Sequence, residues 1–288
     1  MQSTTKRLKL LDLFSGIGGF SLGLENTGFF DTIAFCEVHP FCQKVLAKNW
    51  PNVPCFDDVR TLTRESLEKQ GVLEPNQQID AICGGFPCQD ISSAGLKIGI
   101  SGERSGLWSE YFRLIRDLGP RIVFVENVAA LIQRGIDRVL SDLASVGYDA
   151  FWAVIPACAV GALHERERVW IVAYPSSQRR VGRRRAGLQQ VGEDTRRASI
   201  ANSRECWVAS ASNVSRDVGN YFTQRLGRSV NAASMAIPDE PLLGGTVHGV
   251  SERLDRDRRL EALGNSVVPK VVEALGIAAH ECLQTWYS

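Results

Sequence analysis

From its start to about Tyr174 the chain alternates short apolar runs with stretches of helical spacing. Leu8–Phe14 is apolar and ends in the glycine turn Ser15-Gly16-Ile17-Gly18-Gly19; Phe20, Leu22, Leu24 and Phe29 follow at spacings a helix can use. Thr32–Cys36 predicts a second strand, ending at Glu37. His39–Trp50 predicts a helix with Phe41, Val45 and Leu46 on one face, and Val53–Phe56 a third strand ending at Asp57-Asp58. Ile79–Cys83 and Arg121–Val125 predict two more. Strands alternating with helical segments predict an α/β fold, with a doubly wound and mostly parallel sheet. Tyr148–Pro156 and Arg168–Tyr174, separated by a turn-like segment, predict an antiparallel pair closing one sheet edge.

Beyond Tyr174 this periodicity stops. Residues 175 to about 250 are rich in Arg, Ser, Gly and Asn, which predicts either a small irregular lobe or a segment that orders on meeting a partner. Order returns late. From Val267, the residues Val268, Val271, Val272, Leu275, Ala279, Leu283 and Trp286 follow helical spacing, and such a helix needs a core to cover. The organisation expected is a first domain over 1–174, a basic lobe over 175–255, and a segment over 256–288 that returns to complete the first domain.

Composition narrows the class. With 288 residues, 44% hydrophobic and 23% charged, the chain can bury one substantial core and carry a smaller lobe. No apolar run approaches the roughly 20 residues of a membrane span, and the first residues do not read as a cleavable signal, so a cytoplasmic protein without a membrane partner is expected. The eight cysteines are irregularly spaced and include no C-x-x-C pair, so neither a disulfide framework nor a metal site is expected. Net charge is only +1, yet Tyr174 to Val230 holds eleven arginines against four acids. Such asymmetry fits a polyanion-binding lobe and equally a solvated basic insert.

Candidate chemistry gathers at the predicted strand ends, where open α/β sheets bind ligands. Glu37 stands about 20 residues after the glycine turn, where a carboxylate can take both hydroxyls of a ribose. Asp58, after the third strand, can accept from an adenine amino group. Both acids could instead be helix N-caps, but the motif context favours the cofactor reading. Gly84-Gly85-Phe86-Pro87-Cys88-Gln89-Asp90 places a cysteine just past a buried strand, where reactive groups are displayed. Val123-Phe124-Val125-Glu126-Asn127-Val128 brings a carboxyl to the same edge, and a thiolate attacking an electron-poor carbon needs such an acid to protonate the ring. His164, Arg166 and Arg168 alternate through "HERERVW"; they offer positive charge to the thiol, or simply line an exposed edge strand.

The ordered set "DLFSGIGGF", "GGFPCQ", "ENV", "RERVW" and "LGNSVVP" resembles the C5-cytosine-specific DNA methyltransferases of bacterial and phage type, over nearly the whole chain except the basic insert. The resemblance implies a Rossmann-like S-adenosylmethionine-dependent methyltransferase fold with a small irregular second lobe. It implies Phe14, Gly16, Ile17, Gly18, Gly19, Glu37, Asp58, Pro87, Leu107, Asn265 and Ser266 as the S-adenosylmethionine pocket. It further implies that Cys88 attacks C6 of a cytosine, that Glu126 bonds at N3, and that Arg168, with Arg166, helps hold the base and its phosphate. It implies that Gln89 and Ser92 begin a loop, running on through Gly95, Gly99 and Gly102, that closes over the DNA, and that Asn127 lies on the DNA side. S-adenosylhomocysteine is the implied by-product, no metal is implied, and double-stranded DNA is the implied partner. A single chain acting on one base, with a cognate restriction endonuclease beside it, is the implied setting.

Three features depart from the family pattern. His164 stands where a glutamine is usual, "AIPDEP" at Ala236–Pro241 is at best a remnant of the usual "FPD", and the basic insert is short for a recognition domain. An RNA cytosine methyltransferase keeps the same fold and is a second reading, since phosphate neutralisation is sequence-independent. A DNA-binding module without activity is a third, against which the retained Cys88, Glu126 and Arg168 speak.

Overall fold

Side-chain alternation along the strands sorts the apolar residues into two layers, one on each face of a single sheet. The computed structural model describes residues 7–87, 106–162, 164–176 and 262–287. Its strands are β1 (Leu8–Leu13), β2 (Phe30–Cys36), β3 (Cys55–Phe56), β4 (Ala81–Gly85), β5 (Ile122–Val128), β6 (Tyr148–Ile155) and β7 (Arg168–Pro175). Its helices are α1 (Gly19–Asn26), α2 (Pro40–Asn49), α3 (Arg64–Lys69), α4 (Leu107–Leu118), α5 (Leu131–Arg134), α6 (Ile136–Ser145) and α7 (Pro269–Tyr287). The strands lie in the order β3-β2-β1-β4-β5-β7-β6. Strands β1 to β5 pair in parallel, and β7 runs antiparallel to both of its neighbours.

One layer holds Leu11, Leu13, Ile82, Val123, Val125, Val169 and Ile171 against α4 and α6. The other holds Leu8, Leu10, Cys83, Phe124, Trp170 and Val172 against α1 and α7. A register shift in the β1–β2 pairing lets Leu10 face Thr32 and Leu11 face Ala34, leaving Ile33 as an extra residue on β2. The slip moves the strand's apolar set across the sheet: Phe30 joins the α1/α7 layer, whereas Ala34 and Cys36 join the other.

Local signals set the helix starts. His39 caps α2, its Nδ1 accepting from Phe41 N–H at 3.2 Å with Pro40 in the first helical position. Thr63 and Ser66 cap α3 reciprocally. On α4, Tyr111 Oη donates to the Phe124 carbonyl at 2.8 Å, and Trp108 Nε1 donates to Asp142 Oδ2 of α6 at 2.9 Å.

The stretch Ala262–Gln284, which contains most of α7, is long and apolar enough by composition to cross a membrane, contrary to the expectation of no such run. Its apolar side chains Val271, Val272, Leu275, Ala279 and Leu283 are buried in the α1/α7 layer. Helix α7 therefore packs in the same layer as α1. Residues 177–261, on which the expected basic lobe falls, lie outside the described residues.

Candidate active site

Every parallel strand ends at one edge of the sheet, and β7, being antiparallel, begins there. The first strand releases into the turn Phe14–Gly18 with an unusual backbone. Phe14 has φ of 52°, in the left-handed region that non-glycine residues seldom enter. Ser15 Oγ donates to the Asp12 carbonyl at 2.7 Å, and Ser15 N–H donates to the Cys36 carbonyl at 3.2 Å, tying the turn to β2. Gly18 combines φ of +86° with a position where a Cβ would sit 2.6 Å from the Trp50 ring. No other residue type suits it. A Cβ at Gly19 would lie 2.7 Å from Ser266 Oγ, so the C-terminal segment closes on the turn from the opposite side.

Glu37 follows β2 and is buried. Its Oε2 accepts from Gly16 N–H at 2.7 Å and its Oε1 from His39 N–H at 2.8 Å, which fixes the carboxylate at the turn. The N-cap alternative does not hold for either acid: α2 is capped by His39 and α3 by Thr63. Asp58 Oδ1 instead accepts from Arg60 N–H at 2.9 Å in a local turn. Arg113 of α4 holds that loop, its Nη2 donating to the Val59 and Leu62 carbonyls at 2.9 and 3.0 Å. A cavity of about 250 Å³ opens beside the glycine turn, lined by Gly18, Gly19, Leu22, His164, Arg166 and Ser266 among others. Ile17 also lines it, Leu107 opens α4, and Asn265 is exposed beside Ser266.

The carboxyl of Glu126 forms the second half of the site. Strand β4 runs two residues further than the sequence pattern suggests, because Gly85 can pair with Glu126 while leaving its own face empty. A Cβ on Gly85 would stand 2.6 Å from Glu126 Oε2. Arg168 Nε lies 3.0 Å from Glu126 Oε1. Burial nevertheless raises the Glu126 pKa to about 7, outweighing Arg168 and Arg166, which lower it. A carboxyl so placed exists near neutral pH as a donor and an acceptor in comparable amounts.

Arg166 is turned elsewhere. Its Nη2 donates to the carbonyls of Gly264 and Ser266 at 2.6 and 2.7 Å, binding the entry of β7 to the C-terminal segment. Asn127 is buried, with Nδ2 donating to the Phe86 carbonyl at 3.1 Å and Oδ1 accepting from Val128 N–H at 2.8 Å. It braces the backbone just before Pro87. Cys88, Gln89 and Ser92 lie outside the described residues, as do Gly95, Gly99, Gly102 and the segment Ala236–Pro241.

Sequence reasoning passed over Asp12, Ser21, Gly85, Trp50 and Arg113 as parts of the site. Asp12 left a legible sign, a charged residue inside the apolar run Leu8–Leu13. Gly85 falls within the quoted "GGFPCQ", whereas nothing local marks the contacts of Ser21, Trp50 and Arg113.

Residues 8–234 match the family described as C-5 cytosine-specific DNA methylase. The chain is 37% identical over 174 residues to a Type II methyltransferase, M2.BsuMI, of Bacillus subtilis (strain 168), covering 58% of this chain and 42% of that one. It is 32% identical over 166 residues to M.CviJI of Paramecium bursaria Chlorella virus IL3A, covering 57% and 42%. Among solved structures it is similar to an E. coli protein described as a prophage-encoded DNA modification methyltransferase. That likeness has a TM-score of 0.51 and 30% identity, over 60% of this chain and 48% of the other. The matches thus span less than half the length of these relatives. With the family matched over most of its length and the glycine turn, the strand-end acids and the Glu126–Arg168 pair in place, the chain belongs to the C-5 cytosine-specific DNA methylases.

Proposed function

We propose that this chain transfers a methyl group from S-adenosylmethionine to C5 of a cytosine in double-stranded DNA. The observation that carries the reading is the Glu126 carboxyl, buried 3.0 Å from Arg168 Nε at the strand edge that β4 leaves towards Pro87 and Cys88. A binding module has no need of a carboxyl lifted to about 7.

The residues present fit S-adenosylmethionine. Glu37 is held by backbone N–H groups yet keeps free lone pairs on both oxygens, which suits a ribose diol. Asp58, steadied by the loop that Arg113 grips, suits an amino group. Ile17, Gly18, Gly19 and Ser266 line the cavity beside the turn, and Phe14, Pro87, Leu107 and Asn265 complete the proposed pocket. When bound, the donor supplies an electrophilic methyl group on a sulfonium centre.

The rest is the work of the chain's own side chains. The target cytosine leaves the base stack, since its C6 face is hidden in the duplex. The Cys88 thiolate adds to C6 while Glu126 donates to N3, so the electron pair of the C5–C6 bond becomes available at C5. Arg168 holds the Glu126 carboxyl in place. After methylation, the N3 proton returns to Glu126 and the C5 proton passes to solvent, which restores the C5–C6 double bond and expels the thiolate, leaving S-adenosylhomocysteine. Gln89, Ser92 and the arginine-rich segment contact the DNA, where phosphate pairing dominates affinity. The chain acts singly in the compartment that holds its DNA, with a restriction endonuclease as its counterpart.

The test uses random-sequence duplex DNA, labelled S-adenosylmethionine, the wild type and Cys88→Ser, with bisulfite sequencing of the product. Methylation at one cytosine within a short fixed motif, lost in Cys88→Ser, supports the reading. Label in RNA but not in DNA, or none with S-adenosylmethionine still bound, overturns it.

A further inference from the structure

A second buried carboxyl lies beneath the glycine turn and takes no part in the chemistry above. Asp12 is fully buried on β1 and sits opposite Cys83 of β4, on the sheet face covered by α1 and α7. A carboxyl in such a place costs several kcal/mol unless hydrogen bonds or protonation relieve it. The relief comes from α1. Ser21 Oγ donates to Asp12 Oδ2 at 2.7 Å, the Ser21 backbone N–H and the Cys83 thiol add support, and Oδ1 has no well-formed partner.

Ser21 is the third residue of α1, a helix whose N-cap, Gly18, offers no side-chain cap and whose first turn holds no acid. The free N–H groups of a helix start need an acceptor. Asp12 provides one from the neighbouring strand. The same helical turn holds Gly19 and follows Gly18, which Ser266 and Trp50 confine from two sides. Asp12 is the contact from below.

We propose that Asp12 is a positioning residue for the methyl-donor site, which acts through Ser21 to hold the first turn of α1 and so the Gly18-Gly19 backbone at the height the donor requires. The proposal rests on the reading of that site as an S-adenosylmethionine pocket. Asp12 touches no ligand in it.

The charge environment sharpens the proposal. Burial, with a smaller contribution from Glu37 just past β2, raises Asp12 to about 7 against the lowering effect of Ser21 and Cys83. Tyr111 of α4 and Cys55 of β3 are the other titratable groups that feel it. All of these are acids or neutral, so ionisation near pH 7 adds negative charge under the turn. An asparagine keeps an acceptor for Ser21 and cannot ionise.

The experiment is calorimetric titration of S-adenosylhomocysteine into the full chain, as wild type, Asp12→Asn, Asp12→Ala, Ser21→Ala and the double alanine variant, between pH 5.5 and 8.5, with thermal unfolding alongside. Asp12→Ala and Ser21→Ala are each expected to weaken binding about tenfold, the scale of one buried hydrogen bond. The double variant should be no weaker than Asp12→Ala. Asp12→Asn should bind within about threefold of wild type and lose the change in affinity that wild type shows around pH 7. Should Asp12→Ala fail to fold, Ser21→Ala and Asp12→Asn still decide. Unchanged affinity in Ser21→Ala, or a pH profile in Asp12→Asn equal to that of wild type, overturns the proposal even if unfolding midpoints fall. Absence of binding by the wild type overturns the pocket reading itself, and this proposal with it.

Discussion

At the scale of single residues, Glu126 is where competing effects are resolved. Arg168 and Arg166 favour its charged form, burial opposes it, and burial prevails. Its folded pKa of about 7 lies above the ordinary 4.5, so the native state holds a proton that the unfolded chain releases in that window. Stability from this group is complete below about pH 4.5 and is lost as pH rises through 7. Relative to Glu126→Gln, the wild type should lose on the order of 3 kcal/mol between pH 4.5 and 8, read by urea unfolding of both at several pH values. A difference that stays flat with pH would falsify this assignment. Gly85 is linked to the same carboxyl. Gly85→Ala brings a methyl group to where Glu126 Oε2 now lies, and the carboxyl must swing aside. Turnover should fall about 100-fold, the scale for losing one preorganised polar contact, while S-adenosylhomocysteine binding stays within threefold, about 0.7 kcal/mol. Kinetics beside calorimetry separates the two. The sequence made Cys88 and Glu126 conspicuous, because each follows an apolar run and breaks its character. It was silent on why residue 85 is glycine, since the reason sits on another strand.

At the scale of elements, strand positions were legible and strand neighbours were not. The runs near Leu8, Thr32, Arg121, Tyr148 and Arg168 all became strands, and His39–Trp50 became α2 with both end residues as caps. Nothing local to Arg168–Pro175 says that it slots between β5 and β6 rather than at the rim. That insertion matters for function, as it carries Arg168 to Glu126. It also explains Arg166, which enters the strand with φ of 37° and grips Gly264 and Ser266 through one nitrogen. Such a backbone costs of order 1 kcal/mol and persists where surrounding contacts fix it. Arg166→Ala should free the segment that bears Asn265 and Ser266. Backbone amides over 262–268 should exchange faster with deuterium, and affinity for S-adenosylhomocysteine should drop about tenfold, the scale of a charge-assisted hydrogen bond. Unaltered exchange there would show that α7 alone anchors the segment.

Across the whole molecule, the glycine turn with Glu37 and the Glu126–Arg168 pair share one sheet edge. The family match covers residues 8–234, while the glycine turn is closed by Ser266 and Val267 from beyond it. The amphipathic pattern from Val267 onwards made α7 and its buried face readable, since a helix with one apolar face needs a core. The arginine-rich stretch offered charge without periodicity, which is why composition could suggest a polyanion partner there and no architecture. The account stands on Cys88 as nucleophile with Glu126 as its acid, and 5-fluorocytosine in duplex DNA tests this directly. Fluorine at C5 cannot leave as a proton does, so once the methyl group has been added the C6–sulfur bond cannot be expelled. With S-adenosylmethionine present, the account predicts a denaturation-stable protein–DNA adduct whose peptide map places the modified nucleotide on Cys88, absent in Cys88→Ser. An adduct on any other residue, or methylated product from Cys88→Ser, would contradict it.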